Sequence, residues 1–298
     1  MSPYLEAARP RTLPAAIAPV VVGTAAAATP WGQLSWLRAA LALLVALALQ
    51  VGVNYANDYF DGVKGIDTEA RTGPRRAVAS GLVTPAAMRR AIVVALLVAA
   101  LAGLALAWLA GWELLLVGLL AILATLGYSG GPKPYASAAL GEVMVFVFFG
   151  VVATAGSAYV QDGRLSALAL LVSVPMGLFA VALLVVNNLR DIPTDRQVGK
   201  TTLAVTLGDT RTRRLFAGLL LLPYLLLPGV ALLAASGWAL VPLASAPLAV
   251  ASVRQVRGAA APGALIPALG ATARTQLVYA VLLTVGLVGA TAASGVAT

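Results

Sequence analysis

Residues 37–67 read LRAALALLVALALQVGVNYANDYFDGVKGID, a mostly apolar run that ends in a cluster of acids and carboxamides. We call residues 54–67 the first Asp motif. Its polar side chains are Asn54, Asn57, Asp58, Asp61 and Asp67. Carboxylates at the end of an apolar helix are costly unless something positive holds them, and a metal ion is the simplest candidate. The stretch therefore predicts a membrane helix that ends at a functional site.

The composition extends this interpretation to the whole chain. Of the 298 residues, 60% are hydrophobic and only 10% are charged, whereas about a quarter are charged in a typical soluble domain. Apolar runs long enough to cross about 30 Å of hydrocarbon recur from end to end. The sequence contains no Cys and no His, which excludes disulfides, thiolate metal sites and imidazole bases. These features predict an all-α integral membrane protein.

Nine apolar stretches predict nine transmembrane helices in a single domain that covers residues 1–298. The predicted spans are residues 13–29, 37–58, 88–110, 112–129, 138–160, 165–189, 215–235, 237–254 and 276–295. The start of the chain is similar to a signal peptide, but Pro14 and Pro19 interrupt the first apolar run. We therefore expect the first helix to be retained.

The basic residues predict the orientation. If the N-terminus is cytoplasmic, only Arg38 and Arg164 of the 20 Lys and Arg residues lie outside. Such a bias is typical of plasma-membrane proteins with positively charged cytoplasmic loops. Nine spans then place the C-terminus outside. The same distribution accounts for the net charge of +9 without a nucleic-acid partner.

A second polar stretch, NNLRDIPTDRQVGK at residues 187–200, follows the sixth predicted span, and we call it the second Asp motif. Asn187 and Asp191 are four residues apart, as are Asn57 and Asp61, so each pair lies on one helical face. Pro193 predicts that the helix kinks or ends near Asp191, which would turn the following residues into a cap. The two motifs open the longest predicted cytoplasmic loops, so residues 54–87 and 187–214 are the predicted active-site loops.

Two acid clusters on one side of a membrane, each followed by basic residues, favour a diphosphate bridged by Mg²⁺. This ion takes few protein carboxylates and completes its shell with water and substrate phosphates. The predicted metal ligands are Asp58, Asp61, Asp67, Asp191 and Asp195. Carboxamides that could orient water or phosphate oxygen are Asn54, Asn57, Asn187 and Asn188, and the predicted phosphate-binding cations are Arg75, Lys133, Arg190 and Lys200.

Two further features complete the predicted site. Tyr128 begins a turn in which two Gly and two Pro residues constrain the backbone around Lys133. Glu142 is a lone acid in the fifth span, either a partner for Lys133 or a polar group at an acceptor site. The predicted catalytic residues are Asp58, Asp61, Lys133, Asp191, Asp195 and Lys200.

These motifs resemble the UbiA superfamily of membrane prenyltransferases. The family carries Asn-Asp-x-x-Asp and Asp-x-x-x-Asp after the second and sixth helices, and this chain has them at residues 57–61 and 191–195. The resemblance covers most of the chain. It implies a nine-helix bundle around a central cavity with a cytoplasmic cap, in contact with the lipid bilayer, and Mg²⁺ as cofactor.

The spacing of the acids in the first Asp motif indicates which branch of the family the chain resembles. In the family a third Asp usually follows three residues after the second, whereas five residues separate Asp61 from Asp67 here. The longer form is similar to the branch that prenylates 1,4-dihydroxy-2-naphthoate. That likeness implies transfer of a polyprenyl group from its diphosphate to the naphthoate through an allylic carbocation, with loss of CO₂ and diphosphate. The expected product is demethylmenaquinol or demethylmenaquinone.

Other functions remain open at this point. Within the family the acceptor could be 4-hydroxybenzoate, homogentisate, haem or chlorophyll. A membrane transporter for an anionic solute is a less favoured alternative, because the acids cluster at one face rather than at the midplane. A CDP-alcohol phosphotransferase is disfavoured, since its Asp-Gly-x-x-Ala-Arg pattern breaks after Gly62. Oligomeric state and prenyl chain length are not encoded in any motif.

Overall fold

The structure is a computed structural model that describes residues 2–27, 33–66 and 75–295. Its α-helices are α1 (Pro3–Ala7), α2 (Pro14–Ala25), α3 (Trp36–Val63), α4 (Pro85–Ala110), α5 (Leu114–Gly127), α6 (Gly141–Val145), α7 (Ala153–Asp162), α8 (Ala167–Gln197), α9 (Leu203–Leu225), α10 (Leu227–Leu233), α11 (Ala246–Gly258) and α12 (Ile266–Gly295). A π-helix, Phe146–Val152, joins α6 to α7. Short 3₁₀ helices occur at Pro10–Thr12, Tyr135–Ser137, Gly237–Ser245 and Pro262–Leu265.

The described helices reproduce the predicted order of apolar spans. Seven of them are long and apolar enough to cross a membrane. They cover Trp36–Val63, Pro85–Ala110, Gly141–Asp162, Ala167–Gln197, Leu203–Leu233, Gly237–Gly258 and Pro262–Thr291. At the first and fourth predicted spans stand the shorter apolar helices α2 and α5. The protein is thus an all-helical, multi-pass membrane protein, while the count of nine crossings stays a prediction.

Helix α8 is the centre of the bundle. In its most apolar window 78% of the residues are buried inside the protein, against 22% for α3. Its buried face carries Met176, Phe179 and Val186, which pack with residues of α2, α9 and α12 in the largest apolar cluster. A motif at the end of α8 is therefore held by the most constrained element of the fold.

The π-helix approaches α8 at a pair of glycines. A Cβ atom on Gly150 would lie 2.5 Å from the Cα of Gly177, so the two backbones touch directly. Small residues allow such close approach where lipid offers no hydrophobic drive for helix packing. The π-helix also turns Phe148 and Phe149 toward the central cavity described below.

The described acids of both Asp motifs lie on extensions of long helices rather than in loops. Helix α3 runs to Val63 and carries Asp58 and Asp61, and α8 runs through Pro193 to Gln197. The helix does not end near Asp191, which was one of the two predicted outcomes, while the kink stays a prediction. Pro193 removes one backbone donor, and the next residue, Thr194, donates its hydroxyl to the Asp191 carbonyl at 3.0 Å. Asp191, Ile192 and Asp195 of this turn are buried, whereas Pro193 is exposed.

Tryptophans mark the end of the bundle opposite the acids. Trp36 begins α3, and about 25 residues, roughly 37 Å of helix, separate it from Asp61. Trp108 and Trp112 are exposed near the C-terminal end of α4. Trp238 is exposed at the start of the 3₁₀ helix that precedes α11. Arg38 donates to the Leu109 carbonyl at 2.5 Å, which joins the start of α3 to the end of α4. Such residues are typical of an aromatic belt at one membrane interface.

Candidate functional site

One face of α3 presents four polar side chains to the interior. Gln50, Asn54, Asn57 and Asp61 follow one another at spacings of four, three and four residues, which keeps them in one stripe along the helix. All four are buried. Asn57 Nδ2 donates to Asp61 Oδ2 at 3.2 Å and to Ser129 Oγ at 2.8 Å, so this stripe also binds the turn after α5.

Asp58 occupies a different environment from Asp61. Its two carboxylate oxygens accept the backbone N–H groups of Ala77 and Val78 at 3.0 and 2.9 Å. The side chain is 1% exposed, and its contacts hold the segment before α4 against α3. Each oxygen of the Asp58 carboxylate thus already accepts one amide hydrogen bond, and its predicted role as a metal ligand stays a prediction.

The second Asp motif contains a buried ion pair. Arg190 Nε and Nη2 donate to the two oxygens of Asp191, both at 2.7 Å, and Nη2 also donates to Asn187 Oδ1 at 2.9 Å. Arg190 is 2% exposed. Its Nη1 atom has no hydrogen-bond partner within the described part of the chain. A buried guanidinium with one unused donor supports the prediction that Arg190 contacts substrate.

Glycines end the two motif helices in the same way. After Val63 the chain turns at Gly65, where φ is +68°, and Ile66 N donates to the Asp61 carbonyl at 2.9 Å. After Gln197 it turns at Gly199, where φ is +70°, and Lys200 N donates to the Asp195 carbonyl at 2.8 Å. Both are Schellman caps, which need a residue that tolerates positive φ. We call them the two glycine caps.

The second glycine cap returns Lys200 to the first motif. Lys200 Nζ lies 3.5 Å from Asp61 Oδ2, across 139 residues of sequence. Ala139 N donates to the Thr201 carbonyl at 3.0 Å, so the turn after α5 closes over the same place. The structure thus brings together the two motifs that the sequence places far apart.

The motif side chains line a small polar pocket of about 40 Å³. Its acids are Asp61, Asp191 and Asp195, and its cations are Arg9, Arg76 and Lys200. The carboxamides Asn57, Asn187 and Asn188 complete the polar wall. Within the described ranges no group of three or more acids is close enough to hold a metal alone, and Asp67 lies outside the described residues. Carboxylates and carboxamide oxygens are nevertheless the hard ligands that suit Mg²⁺ when phosphates fill the rest of its shell.

A larger cavity of about 670 Å³ adjoins the polar pocket. Its wall is mostly apolar and comes from α2, α3, α5, the π-helix and α8. Five residues line both spaces and so form their boundary: Arg9, Asn57, Arg76, Tyr128 and Asn187. A volume of this size suits a small molecule with an apolar body. We call it the apolar cavity.

The remaining predicted site residues lie in different places. Asn54 and Arg75 line the apolar cavity. Glu142 is buried and accepts from Asn188 Nδ2 at 3.1 Å, so its described partner is Asn188 and not Lys133. Lys133 is exposed and lines neither space. Its proposed role in the site stays a prediction.

The sequence reasoning missed the part played by two cations. Arg9 was assigned only to membrane orientation, yet its Nη2 donates to Asn57 Oδ1 at the boundary of the two spaces. Lys64 donates to the carbonyls of Ser129 and Gly131 at 3.0 and 3.1 Å, so it holds the turn that was thought to serve Lys133. Tyr135 also fixes that turn by donating to the Ala124 carbonyl at 2.7 Å, and burial raises the pKa of its hydroxyl.

Comparison with known proteins gives a consistent relationship. The sequence model of the UbiA prenyltransferase family matches residues 16–264. The chain is 48% identical to the 1,4-dihydroxy-2-naphthoate octaprenyltransferase of Mycobacterium tuberculosis, over 93% of this chain and 94% of that protein. It is 40% identical to the protein of the same name from Escherichia coli, over 95% and 94% of the two chains.

Solved structures agree in fold. A UbiA homolog from Archaeoglobus fulgidus bound to GPP and Mg²⁺ superposes with a TM-score of 0.67 at 17% identity, over 95% of this chain and 100% of that one. The apo structure of a UbiA homolog from Aeropyrum pernix K1 gives a TM-score of 0.68 at 17% identity, over 92% and 95% of the chains. At such low identity the likeness concerns the fold alone.

Proposed function

This chain belongs to the UbiA prenyltransferase family, and we propose that it transfers a polyprenyl group from an isoprenyl diphosphate to 1,4-dihydroxy-2-naphthoate. The observation that carries the proposal is the junction of the two spaces. A pocket lined by acids and cations from both Asp motifs adjoins a cavity with a mostly apolar wall. The acids and cations of the former suit a diphosphate with its metal ion, and the apolar wall of the latter suits prenyl and aromatic groups. The names of the relatives supply the identity of the acceptor.

The polar pocket would hold the diphosphate. Asp61, Asp191 and Asp195 line it, and Asp67 joins them in the sequence prediction. Mg²⁺ would neutralise the phosphate oxygens and stabilise the leaving group. Arg9, Arg76 and Lys200 add positive charge where negative charge develops as the diphosphate departs.

The apolar cavity would hold the prenyl chain and the naphthoate. Its mostly apolar wall excludes water from the allylic cation, and the rings of Phe148 and Phe149 line it. The bond between the allylic carbon and the diphosphate oxygen breaks, and that carbon bonds to the ring carbon that bears the carboxylate. The carboxylate then leaves as CO₂ and returns its electron pair to the ring. The balance needs no oxidant, and the product is the demethylmenaquinol.

The proposal includes the membrane topology of the chain. Residues 1–298 form one transmembrane domain of nine helices, with α2 and α5 as the two short crossings. The N-terminus and both Asp motifs face the cytoplasm, and the C-terminus is outside in the plasma membrane. The glycine caps and the turn after α5 form the cytoplasmic cap over the site.

The test is prenyl transfer in membranes that contain the chain, Mg²⁺, a labelled polyprenyl diphosphate and one aromatic acid at a time. We expect the naphthoate to be prenylated and Asp61→Asn or Asp191→Asn to lower the rate at least about 100-fold, since each removes a charge from the diphosphate site. Asp209→Asn is the matched control, because Asp209 is exposed and pairs with Arg213 away from both spaces. Prenylation of 4-hydroxybenzoate or homogentisate without the naphthoate would overturn the acceptor assignment. Full activity of both motif variants would overturn the diphosphate site.

A further inference from the structure

The segment before α2 is fastened to α3 by buried carboxamides. Asn54 Nδ2 donates to the Ala8 carbonyl at 2.9 Å and to Thr12 Oγ1 at 3.1 Å. Gln50 Nε2 donates to Thr12 Oγ1 at 2.8 Å. The Thr12 hydroxyl in turn donates to the Arg9 carbonyl at 2.9 Å. One hydroxyl therefore gives its single hydrogen and accepts two, which is its full capacity.

This network surrounds a residue with an unusual backbone. Arg9 has φ +52° and ψ +68°, the left-handed conformation, although it is not glycine. A non-glycine residue keeps this conformation only when its surroundings enforce it. The carbonyls of Ala8 and Arg9 are both held by the network, so the strained turn and its fastening coincide.

The strained turn determines where the Arg9 side chain goes. Its guanidinium reaches Asn57, seven residues further along α3 than Gln50, and lines both the polar pocket and the apolar cavity. Asn57 contacts Asp61, which lies beside Lys200. Of the polar stripe on α3, Gln50 and Asn54 hold the segment that contains Arg9 through Thr12 and the Ala8 carbonyl, and Asn57 holds the Arg9 side chain.

We propose that Gln50, Asn54 and Thr12 are positioning residues that fix Arg9 as a diphosphate-binding cation at the boundary of the two spaces. This inference rests on the proposed function. It reassigns Asn54, which the sequence predicted to orient metal-bound water or phosphate oxygen. No ligand need touch Thr12 or Gln50 for their loss to slow the reaction, because they act through Arg9.

A double-mutant cycle tests the proposal, with Arg9→Met, Thr12→Val and the combined variant. Thr12→Val keeps the side-chain shape but removes the hydroxyl, and Arg9→Met removes the charge at the same strained position. We expect kcat to fall about 100-fold for Arg9→Met and about 10-fold for Thr12→Val, with little change in KM for the naphthoate. The combined variant should match Arg9→Met within about twofold, because the hydroxyl has no further effect once Arg9 is gone.

Two controls separate positioning from simple folding. Thr12→Ser restores the hydroxyl and should recover activity to within about twofold of the wild type. Gln50→Leu removes one of the two donors to the Thr12 hydroxyl and leaves the hydroxyl itself in place. It should slow transfer when Arg9 is present and have no effect in the Arg9→Met variant. Multiplicative effects in the cycle, or no rescue by Thr12→Ser, would overturn the proposal.

The cycle remains informative if the acceptor assignment fails. In that event the wild-type protein does not prenylate the naphthoate, and the same four proteins are compared by their affinity for inorganic diphosphate with Mg²⁺. We expect Arg9→Met and the combined variant to bind about 10-fold more weakly, and to the same extent. Unequal affinities of these two variants, or wild-type affinity in Arg9→Met, would overturn the proposal independently of the acceptor.

Discussion

At the residue scale, neighbouring acids of one motif have different partners. Asp58 and Asp61 are three residues apart on α3, and both are buried. Asp58 accepts two backbone N–H groups, whereas Asp61 faces Asn57 and Lys200 in the polar pocket. In the motif Asn-Asp-x-x-Asp, one carboxylate therefore holds the backbone before α4 and the other lines the polar pocket.

This difference predicts distinct results for two similar substitutions. Asp58→Asn should lower the free energy of unfolding by about 2 kcal/mol, because an amide cannot accept from both Ala77 and Val78. Asp61→Asn should lower the rate of transfer at least about 100-fold and leave the thermal midpoint in detergent within a few degrees of the wild-type value. Both quantities can be followed by thermal unfolding and by prenyl transfer. If Asp58→Asn raised the Mg²⁺ requirement at an unchanged midpoint, a direct metal role for Asp58 would be supported instead.

At the element scale, the glycine caps explain the spacing of the acids. Asp61 and Asp195 each stand four residues before a glycine with positive φ, and their carbonyls accept the capping N–H. The first cap is formed by residues that lie between Asp61 and Asp67, namely Gly65 and Ile66. This explains why the interval between these two acids is long. In the second motif the cap turns Lys200 toward Asp61.

Replacement of Gly199, the glycine of the second cap, should move Lys200 away from Asp61 without causing a steric clash. A Cβ on Gly199 meets no atom of the described residues within 4 Å, so Gly199→Ala costs only backbone strain, about 1–2 kcal/mol. We expect the variant to remain folded and to lose most of its diphosphate affinity. Gly218→Ala on α9 is the matched control, since its Cβ also meets nothing and no positive φ is involved. Equal affinities in the two variants would show that the cap does not position Lys200.

At the scale of the whole molecule, the two ends of the bundle differ in chemistry. The acids of the two Asp motifs, the glycine caps and the polar boundary of the two spaces lie at one end, and the exposed tryptophans lie at the other. Helix α8 spans this distance at the centre and delivers the second motif from the most buried element. Which of the two ends faces the cytoplasm stays a prediction from the Lys and Arg distribution.

The absence of cysteine from the sequence makes this orientation directly measurable. Single substitutions at exposed positions, Ser80→Cys and Ala260→Cys at the acid end and Leu165→Cys at the tryptophan end, introduce one thiol each. In intact cells a membrane-impermeant maleimide should label Leu165→Cys and leave the other two unlabelled until the membrane is opened. The reverse pattern would place the site outside the cell and contradict the predicted orientation.

The sequence by itself determined the all-helical membrane fold and the order of its long apolar helices, and it predicted that the two Asp motifs form one site. Hydropathy and spacings of three or four residues depend only on the geometry of a single helix, so they can be read without knowledge of neighbours. Tertiary structure decided which acid faces which partner, carried α8 through Pro193, and brought Arg9 to Asn57 across 48 residues. These outcomes depend on packing between helices, where burial and unpaired donors outweigh the local preference of any one residue.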